Sequence, residues 1–221
     1  RGGKQPNDVF IVRNGPDLDR MRPRPPHDGW KQGRQFGVGY VGVMGRQEGL
    51  HHLLAAVDHL VHGQGRQDIQ FLCIGDGPER AHLIALAHDL GVSDYVSFPG
   101  RLSDGDMVAA LYAADLCVNP DDANDMNDKS SMLKIMEYMA LGKPVVQFDL
   151  TEGRVSAREA ALYARPNDAV DLAARISDLL ADPEARQRMG VLGRTRVEME
   201  LAWKFEAPKL LTAYAALWPQ S

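Results

Sequence analysis

Short apolar runs alternate along the chain with amphipathic stretches of helical spacing. Apolar runs of four to eight residues between turn-forming residues are typical of strands buried on both faces. The predicted strands are Val9–Val12, Phe36–Val43, Ile69–Ile74, Tyr95–Phe98, Leu116–Asn119, Val145–Phe148 and Ala161–Tyr163. The alternation predicts an α/β fold, in which a parallel sheet carries helices on both faces. Residues 14–33, which are rich in Pro, Gly, Asp and Arg, are predicted to form a linker or a long loop.

Helical spacing is clearest in Leu50–Val61, whose leucines and valines form one apolar stripe. His51, His52, His59 and His62 fall on the opposite face. Their crowding suggests a metal site, but no carboxylate or thiol completes a tetrahedral ligand set. The sequence therefore favours a solvated polar face and predicts no metal site.

Capping residues place further helices. Ser103 followed by Asp106 resembles a capping box. The stretch from Ser131 to Leu141 is predicted to end where Gly142 and then Pro144 follow. The remaining predicted helices are Gly105–Ala114, Val170–Ala181 and Trp203–Trp218.

Composition narrows the class of protein. The 221 residues include 25 Lys and Arg against 30 Asp and Glu, for a net charge of −5, which argues against a nucleic-acid binder. No apolar run approaches the roughly 20 residues that cross a bilayer, so we expect a cytoplasmic protein without a transmembrane segment. Cys73 and Cys117 lie within apolar stretches and are expected to be reduced core residues.

Two glycine-containing loops follow predicted strands, where α/β sheets bind ligands. The first, Gly42-Val43-Met44-Gly45-Arg46-Gln47-Glu48-Gly49, allows close backbone approach to a ligand and leads into a helix N-terminus that suits phosphate. Its spacing is not the dinucleotide-binding fingerprint, so a simple tight turn remains an alternative. The second loop, Gly75-Asp76-Gly77-Pro78, is a weaker signal, because glycine turns are common in such folds.

A third loop, from Asn119, is strongly polar and leads into the helix that is predicted to start at Ser131. Ser130 and Ser131 are expected to cap this helix and to leave backbone N–H groups directed at an anion. Lys134 and Glu137 would be neighbours on one helical face. They are either an ordinary surface ion pair or a cation and a carboxylate that suit a ribose-bearing, phosphorylated ligand.

Six motifs along the chain occur in the same order as in a known family. The motifs are Asn14-Gly15, Tyr40-Val41-Gly42, Gly75-Asp76-Gly77-Pro78, Val96-Ser97-Phe98-Pro99-Gly100-Arg101, Tyr112-Ala113-Ala114-Asp115 and Glu137-Tyr138-Met139-Ala140-Leu141-Gly142-Lys143-Pro144-Val145-Val146. From about Val9 to Trp218, the chain resembles the C-terminal half of the retaining family-4 glycosyltransferases of the GT-B fold.

The resemblance implies a Rossmann-like sheet that binds a nucleotide sugar, linked to UDP or GDP, as substrate, with no cofactor and no metal. It divides the chain into a segment and linker with one strand (1–34), a nucleotide-sugar-binding domain (35–202) and a helix that crosses back to an acceptor domain (203–221). That acceptor domain, which would bind a sugar, lipid or other acceptor, is expected to be missing here. The piece alone is then expected to be inactive, and peripheral association with the inner face of a membrane is compatible with it.

The resemblance also assigns residues. Glu137 would hold the donor ribose and, with Lys134, is expected to act at the reacting donor. The backbone of Ser131–Leu133 would cradle the diphosphate, and Arg101 and Leu102 would meet the base through their backbone. The other residues expected at the donor nucleotide are Gly42, Met44, Arg46, Gly75, Asp76, Gly77, Ser130 and Met132.

Several positions depart from the family's pattern. Val43 and Glu48 stand where basic residues commonly meet the diphosphate, so Lys134 and Arg46 are expected to compensate. Lys129 occupies the place of the first of two glutamates eight positions apart, the one that normally touches the transferred sugar. Two interpretations stay open for Asp125 and Asp128: either they are merely solvated acidic side chains, or one of them reaches the sugar from the loop.

Two other functions remain open from the sequence. One is a nucleotide-sugar epimerase or hydrolase of the same architecture, which would need a catalytic acid or base near the anomeric centre. The other is a non-catalytic nucleotide-sugar-binding module, which the missing charges at Val43 and Glu48 favour slightly.

Overall fold

The computed structural model describes residues 9–25 and 28–217. Six parallel strands form one sheet in the order β3-β2-β1-β4-β5-β6. They are β1 (Phe36–Val41), β2 (Ile69–Ile74), β3 (Val96–Gly100), β4 (Leu116–Asn119), β5 (Val145–Phe148) and β6 (Ala161–Ala164). The predicted α/β class with a Rossmann-like parallel sheet is confirmed. Trp218 and the rest of the predicted C-terminal segment, 218–221, lie outside the described residues, as do residues 1–8, 26 and 27.

Eight α-helices accompany the strands in the part of the chain that the structure describes. They are α1 (Leu50–Asp58), α2 (Arg80–Asp89), α3 (Asp104–Ala113), α4 (Leu133–Ala140), α5 (Thr151–Ala157), α6 (Ala169–Ala181), α7 (Pro183–Arg196) and α8 (Trp203–Leu217). The first and seventh continue as single π-helical turns, His59–Gly63 and Val197–Leu201. The Ser103 cap is confirmed, because its Oγ accepts a hydrogen bond of 3.2 Å from the backbone N–H of Asp106.

The predicted strand Val9–Val12 is wrong. These residues lie outside any strand, and no described strand pairs with them. Their apolar side chains are exposed, at 54% for Val9 and 74% for Ile11. Apolar residues form a strand only where a sheet edge accepts their backbone hydrogen bonds, whereas this segment meets the C-terminal helix, with the Arg13 N–H donating to Glu206 at 2.9 Å.

Two apolar layers enclose the sheet. One contains Leu53 and Val57 of α1 and Ile176 of α6, and the other contains Leu111 of α3 and Met139 of α4. Strand order reverses direction between β1 and β4, which are hydrogen-bonded neighbours. In such sheets, ligands bind outside the carboxyl ends of the strands at this reversal, so the loops after β1 and β4 are placed to form a site.

Both cysteines are buried and unbridged, as predicted. Burial raises the pKa of each thiol to about 12, so both are unreactive core groups at neutral pH. Within residues 9–25 and 28–217, the structure has no helix with the length and apolar character that crossing a bilayer requires.

Candidate functional site

A cleft of about 270 Å³ opens at the carboxyl ends of β1, β2 and β3. Its lining residues are Arg20, Val41, Gly42, Val43, Ile74, Gly75, Asp76, Arg101, Leu102, Asp104 and Met107. Five residues that the sequence placed at the donor nucleotide therefore meet at one site: Gly42, Gly75, Asp76, Arg101 and Leu102. They come from loops that follow three different strands.

The loops after β1 and β2 pack backbone against backbone. Gly75 has φ +133°, and a Cβ there would lie 1.9 Å from the carbonyl oxygen of Gly42. The Met44 N–H donates to the carbonyl of Asp76 at 2.9 Å. A Cβ at Gly77 would lie 2.5 Å from the Met44 carbonyl oxygen. Glycine is needed here for this close approach.

Neither Met44 nor Gly77 is among the described residues that line the cleft, so donor contact by either stays a prediction. Met44 is fully buried in the apolar core, where its side chain cannot reach a ligand in the cleft. Gly77 belongs to the packing of the two loops and is not among the described residues that line the cleft. The Met44 side chain packs in the core, and the Met44 backbone packs against Gly77. Both contacts support the edge of the cleft.

Arg20 enters the cleft from the segment that precedes β1. Its Nη1 donates to Oε1 of Glu137 at 2.7 Å, while Nε and Nη2 donate to the two carboxylate oxygens of Asp104 at 2.9 and 3.0 Å. The paired carboxylates, that of Asp104 above all, raise the pKa of Arg20 further above its usual value. Hydrogen bonding to Arg20 lowers the pKa of Asp104. The cleft thus contains a firmly charged guanidinium.

Glu137 lies beneath that guanidinium, on α4. Its side chain is largely buried, and burial raises the pKa of its carboxyl, an effect that Arg20 opposes. A carboxylate so placed can accept hydrogen bonds from hydroxyl groups only where a ligand reaches past Arg20 or shifts it. Arg20 was missed by the sequence reasoning, because its partners lie far along the chain and residues 14–33 show no periodicity.

Lys134 points away from Glu137 to a second acidic cluster. Its ammonium donates to Oε2 of Glu48 at 2.5 Å and to Oδ1 of Asp121 at 2.7 Å. It also lies 5.1 Å from the centre of the Tyr40 ring, in cation–π contact. Burial raises the pKa of Asp121 to about 6, against the attraction of Lys134. The surface pair of Lys134 with Glu137, one of the sequence's alternatives, is therefore not formed.

The two cations expected to replace the missing phosphate ligands do not line this cleft, so their role at the diphosphate stays a prediction. Neither Lys134 nor Arg46 is among the described residues that line the cleft. Arg46 lines a separate cavity with His51 and Glu79. The two cations that do line the cleft are Arg20 and Arg101.

The predicted serine caps of α4 are wrong. The helix begins at Leu133, and its N-terminal cap is Met132, whose side chain makes no capping hydrogen bond. Ser130 Oγ donates to the carbonyl of Met126, and Ser131 Oγ donates to Glu152 at 2.8 Å. Serines near a helix start also bond to other local or tertiary acceptors, and here those acceptors take both hydroxyls.

The residues expected at the transferred sugar lie on the same loop. Asp128 accepts hydrogen bonds from the backbone N–H and the hydroxyl of Thr151, at 2.8 and 3.0 Å, so it holds the start of α5. These bonds lower the pKa of its carboxyl. Lys129 and Asp125 are exposed. None of the three is among the described residues that line the cleft, and sugar contact by any of them stays a prediction.

Comparison with known proteins shows which proteins this chain is similar to. The family described as "Glycosyl transferases group 1" matches residues 35–182, more than half of the chain. The chain is 30% identical over 188 residues to 2-deoxystreptamine glucosyltransferase of Streptomyces kanamyceticus, covering 79% of this chain and 46% of that protein. It is 27% identical over 214 residues to glycogen synthase of Mycobacterium tuberculosis, covering 95% and 49%. The chain thus spans about half the length of the curated relatives it matches.

Solved structures share the fold. A structure of Anabaena HepE in complex with UDP and glucose has a TM-score of 0.80 at 18% identity, covering 97% of this chain and 58% of that one. Sucrose-phosphate synthase from Thermosynechococcus elongatus has a TM-score of 0.74 at 25% identity, covering 94% and 52%. These likenesses confirm the Rossmann-like architecture of GT-B glycosyltransferases.

Proposed function

Because the chain belongs to the group 1 glycosyl transferases, we propose that it binds the nucleoside diphosphate of a sugar nucleotide in the cleft at the ends of β1, β2 and β3. The single observation that carries this is the meeting of Gly42 and Gly75 with Arg20 and Arg101 in one cleft. Glycines let a ligand approach the backbone closely, and guanidinium groups bind phosphate oxygens in a bidentate manner.

The reaction that we infer is transfer of a sugar from the nucleoside diphosphate to an acceptor. When the bond between the sugar and the diphosphate breaks, negative charge grows on the departing diphosphate. Fixed cations and N–H donors that are already in place stabilise such charge most strongly in a water-excluded site. Arg20 and Arg101 would supply the cations, and no step requires a metal ion.

Finer features of the proposal rest on the resemblance. They are retention of configuration at the anomeric carbon, an acceptor bound by another domain, and a donor ribose held by Glu137. The diphosphate cradle at the start of α4 stays a prediction, as do the cytoplasmic location and a position against a membrane. We expect the chain by itself to bind a donor without transferring its sugar.

The relatives' names support a sugar nucleotide as the donor. The names of the curated relatives include a glucosyltransferase and a GDP-mannose-dependent mannosyltransferase. One structure with the same fold was solved with UDP and glucose. We therefore infer a UDP- or GDP-linked hexose as donor for this chain.

Isothermal titration calorimetry with UDP, GDP, UMP and GMP tests the proposal. We expect one site per chain, with a diphosphate bound at least tenfold more tightly than its monophosphate, since the two guanidinium groups of the cleft would neutralise the charge that the second phosphate adds. Equal affinities for the diphosphate and the monophosphate, or no binding at millimolar concentration, would contradict it. A transfer assay with the complete protein then separates the alternatives. An epimerase or hydrolase would release an isomer or a free sugar, and a binding module would bind without turnover.

A further inference from the structure

Outside the cleft, two histidines and one aspartate converge between two loops. His51 and His52 stand at the start of α1, and Asp122 lies on the loop after β4. Nε2 of His52 lies 3.2 Å from Oδ1 of Asp122, and Nε2 of His51 lies 3.7 Å from the same oxygen. One ligand atom from each of the three residues falls within 4.8 Å of the others.

The separation between His52 and Asp122 fits two ligands of one metal ion, and His51 would join them by a turn of its ring. Zinc–nitrogen and zinc–oxygen bonds of about 2.0–2.2 Å at a tetrahedral angle put neighbouring ligand atoms about 3.3 Å apart. His51, whose side chain is 41% exposed, has room to turn its ring and close the set. Imidazole nitrogen combined with carboxylate oxygen suits zinc and similar divalent transition metals.

Asp122 also carries an unused acceptor. Its Oδ1 is shut off from solvent and accepts no well-aligned hydrogen bond from the described residues, and His52 Nε2 lies 3.2 Å away. That separation is also the distance between two ligand atoms of one metal ion. A buried acceptor without a partner is costly, and a cation between the rings and the carboxylate would satisfy it.

The backbone around the three residues is fixed. The Asp122 N–H donates to the carbonyl of Gln47 at 3.0 Å, and the Asn127 side chain donates to the carbonyls of Gln47 and Asp122, both at 2.9 Å. The His52 ring packs edge-on against Phe148, with the ring centres 5.4 Å apart. The Asp122 backbone and the His52 ring are thus held in place before any ion arrives, which reduces the ordering that binding requires.

We propose that His51, His52 and Asp122 bind one divalent transition-metal ion, zinc or an ion of the same ligand preference, with water completing its coordination. The sequence showed the histidines but not the carboxylate, which stands 70 residues further along the chain and arrives by way of β4.

The ion would be structural. None of its three ligands is among the described residues that line the cleft. It would tie the start of α1 to the loop after β4. Glu48 lies just before α1 and Asp121 lies on the loop after β4, and both are partners of Lys134. Metal binding would therefore stabilise the chain by fixing the two loops at the strand-order reversal.

Calorimetric titration of untagged, chelator-treated protein with zinc chloride, together with the absorbance of added Co²⁺, tests the site. We expect one ion per chain with micromolar or tighter affinity, and a higher melting temperature with zinc. D122N and H52Q should each weaken binding at least 100-fold and remove the thermal shift. H62Q is the matched control, since His62 pairs with Asp58 at 2.7 Å on the same helix and should leave binding unchanged.

Three results would overturn the proposal: no stoichiometric zinc binding below about 100 μM, binding that survives both D122N and H52Q, or binding that H62Q abolishes. Circular dichroism of each variant without metal establishes that it folds. If D122N does not fold, H51Q replaces it, because that side chain is exposed enough for substitution.

Discussion

The guanidinium of Arg20 lies 2.7 Å from the carboxylate of Glu137, across 117 positions of the chain. The carboxylate that the family resemblance assigns to the donor ribose is therefore covered by a cation. The sugar nucleotide that we propose as ligand would bring both hydroxyls and a diphosphate to the cleft. We expect Arg20, still held by Asp104, to contact the phosphate oxygens in place of Glu137 while Glu137 accepts the hydroxyls, so that one ion pair is exchanged for two ligand contacts.

Arg20→Gln is expected to weaken binding of UDP or GDP at least tenfold, about 1.4 kcal/mol, because it removes one of two cations in the cleft. Calorimetric titration measures the change. Arg22→Gln is the matched control, since Arg22 pairs with Asp19 on the surface and does not line the cleft among the described residues. An equal loss in both variants would show that general charge, and not a contact by Arg20, governs binding.

Glu137→Gln is expected to weaken UDP binding about tenfold and to weaken binding of 2′,3′-dideoxy-UDP much less, because hydrogen bonds from hydroxyls to a carboxylate contribute about 1.5 kcal/mol. Competition titration of the two nucleotides gives the ratio. Asp104→Asn removes the other carboxylate that orients Arg20 and should affect both ligands alike. If Glu137→Gln also affected both alike, Glu137 would act only through Arg20.

Lys134→Met is expected to destabilise the protein by about 3 kcal/mol, because it leaves the carboxylates of Glu48 and Asp121 facing each other with little solvent. Urea denaturation at pH 7 measures this. Adding Glu48→Gln should restore part of the loss. Arg22→Met breaks an ion pair with Asp19 in which both side chains are exposed, and it should change stability by less than about 1 kcal/mol. A Lys134→Met protein as stable as the wild type would refute the buried cluster.

Asp121 is expected to make stability depend on pH. Its folded-state pKa of about 6 lies above the ordinary 3.8, so between these values the folded state holds more protons than the unfolded state. This group's contribution to the free energy of unfolding therefore falls as pH rises from 4 to 6 and is constant above. The full span is on the order of 3 kcal/mol.

Urea denaturation from pH 4 to 7 tests this with Asp121→Asn, which does not titrate. The stability of the variant minus that of the wild type should rise between pH 4 and pH 6 and then level off. A flat difference for Asp121→Asn would mean that the carboxyl is ionised throughout.

Gly49→Ala is expected to destabilise the protein by at least about 3 kcal/mol, because a Cβ there would lie 1.8 Å from the carbonyl oxygen of Pro120. Gly65→Ala is the matched control, with a φ of +68° against +65° and nothing within 4 Å of its Cβ. It should cost about 1 kcal/mol for backbone strain alone. Thermal denaturation compares the two, and equal losses would mean that the contact with Pro120 relaxes freely.

The sheet was largely readable from the sequence. The bounds of β2, β4 and β5 agree with the predicted ones, because a buried strand in a parallel sheet is a continuous apolar run between turn residues. The Ser103 cap was also predicted, since its bond to the N–H three residues on is local. The predicted strand at residues 9–12 was wrong, because a strand needs a sheet edge to pair with and none pairs with this segment among the described residues. The predicted cap at Ser131 was wrong, because its hydroxyl donates instead to Glu152, 21 positions away.

The amino-acid sequence by itself determined the α/β class, the strands and the glycine loops, because each depends on spacing within a few residues. Only the tertiary structure decided which charges meet. Lys134 contacts Glu48 across 86 positions, and Arg20 contacts Glu137 across 117. His52, at the start of α1, likewise contacts Asp122 across 70 positions of the chain. The physical reason is the strand order, which makes β1 and β4 neighbours and brings their loops together, a juxtaposition that no local pattern of residues encodes.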